Sequence, residues 1–193
     1  MFCIGIAGRS GSGKTRLAAE LLRLRPRAGL LAMDSYYRDL SGLAEADRRA
    51  VNYDSPAALE WDLLVEHLRS LQAGAAVDVP RYDFAAHARR PETSRLEHVD
   101  LLVLEGLFAL FDRRVRAILD LAVFVDLGEA EGLRRRIERD TAGRGRTESF
   151  VREQWQRDVA PMYARHVLPT RPRADMTLDG TARPVDSARA VLD

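Results

Sequence analysis

Gly8-Arg9-Ser10-Gly11-Ser12-Gly13-Lys14-Thr15 spells G-x-x-x-x-G-K-S/T, a spacing in which each residue type has a physical task. Gly8, Gly11 and Gly13 let successive backbone N–H groups turn inward around phosphate oxygens, with Ser10 and Ser12 between them in the same cradle. Lys14 is placed to reach the β- and γ-phosphates of a nucleoside triphosphate, and the Thr15 hydroxyl to ligate magnesium. Lys14 is also the chain's one lysine: the rest of the 30 Lys+Arg residues are arginine, so this position calls for an ammonium rather than a guanidinium.

A phosphate cradle serves kinases, switches and motors alike, so residues on the acceptor side must separate them. Met33-Asp34-Ser35-Tyr36-Tyr37 puts a carboxylate just past an apolar run, at the edge of a sheet where open α/β folds bind ligands. Asp34 is therefore a candidate general base that could also meet the magnesium shell, the bland alternative being a turn or helix cap. Leu101-Leu102-Val103-Leu104 ends in Glu105-Gly106, which makes Glu105 a candidate to order magnesium directly or through water. Arg134, Arg135, Arg136, Arg139, Arg144 and Arg146 crowd one helical pattern and the loop after it. Alone they could be a solvated basic face; beside a phosphate cradle they read as a lid over about 134–150 that neutralises transferring phosphate and excludes water when it closes.

The elements that must position these groups alternate. Phe2 to Ala7, Leu30 to Met33, Leu101 to Leu104 and Leu121 to Val125 read as buried strands, with helical segments between several of them. The pattern predicts an α/β fold: an open, mostly parallel sheet with helices on both faces, in a single domain over 1–193. Leu17 to Leu24 has helical spacing and stops before Pro26 and Gly29. Ser55-Pro56 followed by Ala57 to Leu71 predicts one capped helix closed by Gly74. Val77 to Phe84 alternates like an exposed ribbon, predicting a hairpin insertion over about 75–95. Glu129 to Asp140 predicts a basic helix, followed by a flexible Gly143-Arg144-Gly145-Arg146 loop.

Bulk properties narrow the classes. With 46% hydrophobic residues the chain can bury a sizeable core, and a net charge of +1 offers no global attraction to nucleic acid or an anionic membrane. No apolar stretch reaches the ~20 residues a bilayer needs, and Cys3 cannot form an internal disulfide, so the expectation is a soluble cytoplasmic protein. His67, His98 and His166 lack ligand-like spacing and are expected at solvent-facing or loop positions, with no zinc site. A guanine-reading N-K-x-D motif is precluded because Lys14 already lies in the cradle.

Further strings complete a pattern: Asn52-Tyr53-Asp54-Ser55-Pro56, Pro80-Arg81-Tyr82-Asp83-Phe84 with His87, Leu104-Glu105-Gly106, and Arg136 to Arg146 with Gln154 beyond. In order and spacing the chain resembles the uridine kinase (uridine-cytidine kinase) family, which shares its fold with phosphoribulokinases and bacterial pantothenate kinases. The resemblance implies magnesium-dependent transfer of the γ-phosphate of ATP or GTP to the 5′-hydroxyl of uridine or cytidine. It implies that Asp34 activates that hydroxyl, that Asp54, Arg136 and Gln154 hold the ribose, that Arg139 and Arg144 serve the phosphates as catalytic residues, and that Tyr37 and Arg146 complete the acceptor pocket. Tyr82 and Phe84 would flank the base and His87 would read its 4-position; a neutral imidazole offers one donor and one acceptor, so both nucleosides are expected. The partner is a small nucleoside, and the family also implies a homo-oligomer, dimer or tetramer. The chain departs from the family at Ser55, at Ala57-Ala58-Leu59-Glu60, and at Gly143, where a glutamate is usual. The competing readings are a kinase of this fold acting on ribulose phosphate, pantothenate or nicotinamide riboside, and a non-catalytic nucleotide-binding regulator.

Overall fold

A computed structural model describes residues 1–193. In chain order the strands are β1 (Phe2–Gly8), β2 (Ala28–Ala32), β3 (Val77–Asp83), β4 (Ala88–Leu96), β5 (Leu101–Glu105), β6 (Leu121–Asp126) and β7 (Met176–Asp179). The α-helices are α1 (Lys14–Leu24), α2 (Glu45–Ala50), α3 (Trp61–Gln72), α4 (Arg113–Arg116), α5 (Glu129–Gly143), α6 (Glu148–Gln154), α7 (Ala160–Met162) and α8 (Pro184–Leu192).

The main sheet runs β2-β5-β1-β6-β7 with every pairing parallel. Its central strands are apolar on both sides because both faces are covered. Along β5, Leu101 and Val103 join one core with Ile4, Ile6, Leu17 and Leu21. Leu102 and Leu104 point the other way, into the larger core with Met33, Leu64, Leu68 and Phe124. The carboxyl edge of the sheet thus carries the ends of β1, β2 and β5, with Ile6 in register with Glu105 and Gly8 with Val125. No helix is long and apolar enough to cross a membrane.

The four expected strands and the basic helix are present, with local differences. β2 stops at Ala32 because Met33 to Tyr36 winds into a 3-10 turn. The helix expected over Ala57 to Leu71 is interrupted: Pro56–Ala58 is a short 3-10 turn whose cap is the Ser55 hydroxyl, accepting from the Ala57 N–H at 3.3 Å. Leu59 then turns extended to bridge Tyr37, the Glu60 N–H donates to the Tyr36 carbonyl at 2.8 Å, and α3 starts at Trp61. A tertiary backbone pairing has overridden helix propensity there. The hairpin forms from β3 and β4, but β3 is not an exposed ribbon, since Val77 and Val79 are buried in the larger core. Gly143 belongs to α5 rather than to the loop after it. β7, the short α2 and the helical run from Glu148 to Arg173, which includes π-helical turns at Trp155–Val159 and Tyr163–Val167, carry no strong sequence signal and were not expected.

The junction of β1 with α1 is the tightest part of the fold. Gly8 has φ +146°, and a Cβ there would lie 2.3 Å from the Val125 carbonyl oxygen of the neighbouring strand. Gly8→Ala is accordingly expected to lower the unfolding free energy by about 2–4 kcal/mol. The check is a urea titration in which the midpoint falls while the slope is unchanged.

Candidate active site

At the carboxyl edge of the sheet lies a cavity of about 690 Å³. One end is the phosphate cradle. α1 has Gly13 at its N-cap in a left-handed conformation, φ 101°, with no side-chain cap, so first-turn N–H groups remain available to an anion. Gly11, φ +81°, lets the loop pass against α5: a Cβ there would stand 2.6 Å from the Gly132 carbonyl oxygen. Lys14 is buried, and its ammonium donates to the Arg9 carbonyl at 2.9 Å. Burial pulls its pKa below the ordinary lysine value, and the charges of Glu105 and Asp34 work against that shift. Ser10, Gly11, Gly13, Lys14 and Thr15 line the cavity. Gly8 and Ser12 do not: they lie behind the loop, with Ser12 fully buried and its hydroxyl without a partner.

Two acids stand where strands end. The Thr15 hydroxyl donates to Glu105 Oε1 at 3.2 Å, and burial raises the Glu105 pKa against the pull of Lys14. Asp34 sits in the 3-10 turn after β2, with the Tyr37 hydroxyl 3.5 Å from its Oδ1. The donor set of Thr15, Glu105 and Asp34 is all oxygen, which fits Mg²⁺. No three His, Cys, Asp or Glu side chains form a self-sufficient metal site, so an ion there would take its remaining ligands from phosphate and water.

The other end of the cavity is built around Arg136, which is 5% exposed. Its Nη1 donates to Ser10 Oγ at 3.2 Å and lies 3.5 Å from Asp54 Oδ1, while Nη2 donates to Gln154 Oε1 at 2.8 Å. Arg146 Nη1 also reaches Gln154 Oε1, at 3.3 Å. Burial raises the Asp54 pKa and the Arg136 charge opposes the rise. One guanidinium therefore ties the phosphate cradle to the acceptor side.

Above this network the hairpin supplies an aromatic box. Tyr37 meets Tyr53 and Tyr82 edge-on at 5.0 and 5.2 Å, Tyr82 meets Phe84 at 5.4 Å, and His87 stacks on Tyr53 at 5.0 Å. The Tyr82 hydroxyl is buried without a hydrogen-bond partner, an orphan that a polar ligand would satisfy. Burial and the neighbouring Arg146, Arg49, Arg48 and Arg144 lower the His87 pKa, which keeps the imidazole neutral at pH 7.

All six arginines of the cluster line the cavity, but they are held differently. The Arg144 guanidinium lies 5.1 Å above the Phe84 ring. Arg134 is held by Glu131 and Glu138. Arg135 pairs with Glu131 and donates to the Gly180 carbonyl at 2.8 Å, pinning the loop after β7 to α5. Every expected acceptor-side residue, Tyr37, Asp54, Tyr82, Phe84, His87, Arg136, Arg146 and Gln154, lines this one cavity. Tyr53 lines it too and was not singled out; its place between Asn52 and Asp54 was the available signal. Contrary to expectation, His67 is not a free surface histidine: it lies on α3, and its Nδ1 shares a 2.9 Å hydrogen bond with the Tyr36 hydroxyl.

A family model described as "Phosphoribulokinase / Uridine kinase family" matches residues 3–183. The uridine kinase of Lactococcus lactis subsp. cremoris is 42% identical over 177 residues, covering 91% of this chain and 86% of the relative. The uridine kinase of Halobacterium salinarum is 40% identical over 185 residues, covering 95% and 82%. Among solved structures, a putative fructose transport system kinase from Silicibacter sp. superposes with a TM-score of 0.74 at 22% identity, covering 91% of this chain and 88% of that one. The phosphoribulokinase from Rhodobacter spheroides superposes with a TM-score of 0.70 at 19% identity, covering 95% and 73%. These two structures speak to the fold.

Removing Arg136 would leave Asp54 buried without its partner. Arg136→Leu is expected to destabilise the chain by about 3 kcal/mol near neutral pH. The sign of its pH dependence follows from Asp54: without the arginine its pKa in the fold rises further above the unfolded value, so the fold binds the proton more strongly than the unfolded chain does. The variant's deficit therefore shrinks as pH falls toward the ordinary carboxylate range, and thermal melts of both proteins at pH 5 and pH 8 measure it.

Proposed function

The chain belongs to the phosphoribulokinase/uridine kinase family, and from that premise we propose that it transfers the γ-phosphate of ATP or GTP to the 5′-hydroxyl of uridine or cytidine. One observation carries the reading. The phosphate cradle and a box of Tyr37, Tyr53, Tyr82, Phe84 and His87 open into the same cavity, with Asp34 touching Tyr37 on one side and acting on the Lys14 charge on the other. A flat base suits the aromatic walls, a ribose suits the buried Asp54–Arg136–Gln154 cluster, and a triphosphate suits the α1 N-terminus.

In this reading Tyr82 and Phe84 hold the base, and neutral His87 meets either the O4 of uridine or the amino group of cytidine. Asp54, Arg136 and Gln154 fix the ribose so that its 5′-oxygen faces the γ-phosphorus. Asp34 takes the 5′-hydroxyl proton as the new O–P bond forms and the bond from phosphorus to the β,γ-bridging oxygen breaks. Lys14, Arg139 and Arg144 stabilise the charge on the transferring group, and the products are UMP or CMP and a nucleoside diphosphate. Thr15, Glu105 and Asp34 are the residues that would hold Mg²⁺, whose chemistry when bound is charge neutralisation on the triphosphate.

The test is nucleoside diphosphate formation with Mg²⁺ across uridine, cytidine, adenosine, pantothenate, nicotinamide riboside and ribulose 5-phosphate. Turnover is expected with uridine and cytidine. Asp34→Asn is expected to lower kcat by about 10²–10⁴-fold while nucleoside binding persists. Turnover confined to another acceptor would replace the substrate while keeping the kinase, and triphosphate binding without any turnover would replace the kinase with a regulator.

A further inference from the structure

The carboxylate that gathers the lid arginines lies outside the cavity. Asp140, on the last turn of α5, is completely buried, and its two oxygens meet guanidinium groups from four arginines. Arg139 Nε donates to Oδ1 at 2.7 Å, and Arg146 Nη1 donates to Oδ2 at 3.1 Å. Arg136 Nε lies 3.6 Å from Oδ2, and Arg144 Nη1 3.6 Å from Oδ1. The same residue's carbonyl accepts the backbone N–H groups of Arg144 and Arg146, both at 3.2 Å, which folds the loop back onto the helix.

The way these arginines are gripped matters more than their number. Arg136 and Arg139 each turn the Nε edge toward Asp140, leaving their η nitrogens free to point elsewhere. Those of Arg136 reach Ser10, Asp54 and Gln154, and those of Arg139 have no protein hydrogen bond although Arg139 lines the cavity. Four like charges converging on a small volume would spread apart in the absence of phosphate, and a single buried carboxylate holds them together while leaving most of their positive charge to a ligand. Burial alone would raise the Asp140 pKa, but the hydrogen bond from Arg139 and the charges of Arg139, Arg144 and Arg136 outweigh it and keep the group ionised at neutral pH.

We propose that Asp140 is a positioning residue for phosphoryl transfer: it grips Arg136 and Arg139 by the Nε edge and Arg144 and Arg146 by one η nitrogen each, aims all four into the cavity and so sets the lid before the triphosphate arrives. This rests on the kinase reading above, since it assigns the arginines their targets. Asp140 touches neither substrate and acts only through the arginines, in the manner of a buried partner that orients a contacting group.

The experiment compares kcat and both KM values for uridine and ATP in the unmodified chain, Asp140→Asn, Arg139→Ala, their double variant and Asp140→Glu, with thermal melts of each. Asp140→Asn is expected to melt cooperatively and to lose about 100-fold in kcat with only a few-fold change in the uridine KM, as a small misplacement of catalytic charge does. The double variant is expected to lose clearly less than the product of the two single losses, because Asp140 acts in part through the Arg139 side chain. Asp140→Glu keeps the charge but pushes the carboxylate one methylene further, and is expected to lose at least about tenfold in kcat. A kcat within threefold of the unmodified value in Asp140→Asn, or multiplicative losses in the double variant, would overturn the assignment. Should Asp140→Asn fail to fold, an Asp140→Glu chain with unaltered kcat would overturn it equally, by showing that the charge serves only stability. Failure of the unmodified chain to phosphorylate uridine or cytidine would instead overturn the function on which the assignment depends, and is read from the same assay.

Discussion

A triphosphate can be held by backbone N–H groups only if a strand delivers the chain into an open helix N-terminus without any side chain in the way. The junction of β1 and α1 meets that demand through Gly8, Gly11 and Gly13, all at positive φ. Much of the remaining structure follows from protecting this junction. β5 and β6 flank β1 in register, so that Glu105 ends opposite Ile6 and Val125 closes over Gly8. α5 presses on Gly11 from above, and the loop after β7 reaches back to Arg135. A parallel sheet is the economical way to bring several strand ends to one edge, because each crossover returns the chain in the same direction.

Charge balance inside the cavity is the second organising constraint. Lys14, Glu105, Asp54, Arg136 and Asp140 are all buried, and an isolated charge in such a place is strongly disfavoured. Each has an opposite charge or a hydrogen-bonding oxygen nearby: Glu105 for Lys14, Arg136 for Asp54, and four guanidinium groups for Asp140. The pKa directions reflect this competition. Asp54 and Glu105 are raised because burial outweighs one cationic neighbour, whereas Asp140 is lowered because several cations outweigh burial. The cavity is thus lined by concentrated positive charge, with the compensating carboxylate of Asp140 buried outside it.

The acceptor end uses a different physical principle. Tyr37, Tyr53, Tyr82, Phe84 and His87 pack mainly edge to face around the Tyr82 hydroxyl, which has no partner of its own. The hairpin that carries three of them is anchored by burial of Val77 and Val79 and braced at its tip by Arg48, whose Nε donates to the Ala86 carbonyl at 3.1 Å. That bracing comes from α2, which had no clear sequence signal because none of its residues is buried.

By itself the sequence determined the parallel α/β architecture, the phosphate cradle and most of the residues that line the cavity. Those features are written in short, contiguous strings whose meaning comes from local geometry: glycines that permit a turn, an apolar run covered on both sides, a carboxylate at a strand end. Tertiary structure decided the break before α3, the strand β7 and the pairing of Arg134 and Arg135 with Glu131. It also decided that Ser12 lies behind the cradle, that Tyr53 joins the aromatic box and that four arginines converge on Asp140. These depend on contacts between residues far apart in the chain, such as Arg136 with Ser10 across 126 positions, or the Leu59–Tyr37 bridge that ends a helix-like pattern. A string of residue types carries propensity and spacing, but which guanidinium meets which carboxylate is settled only when burial forces each charge to find its partner.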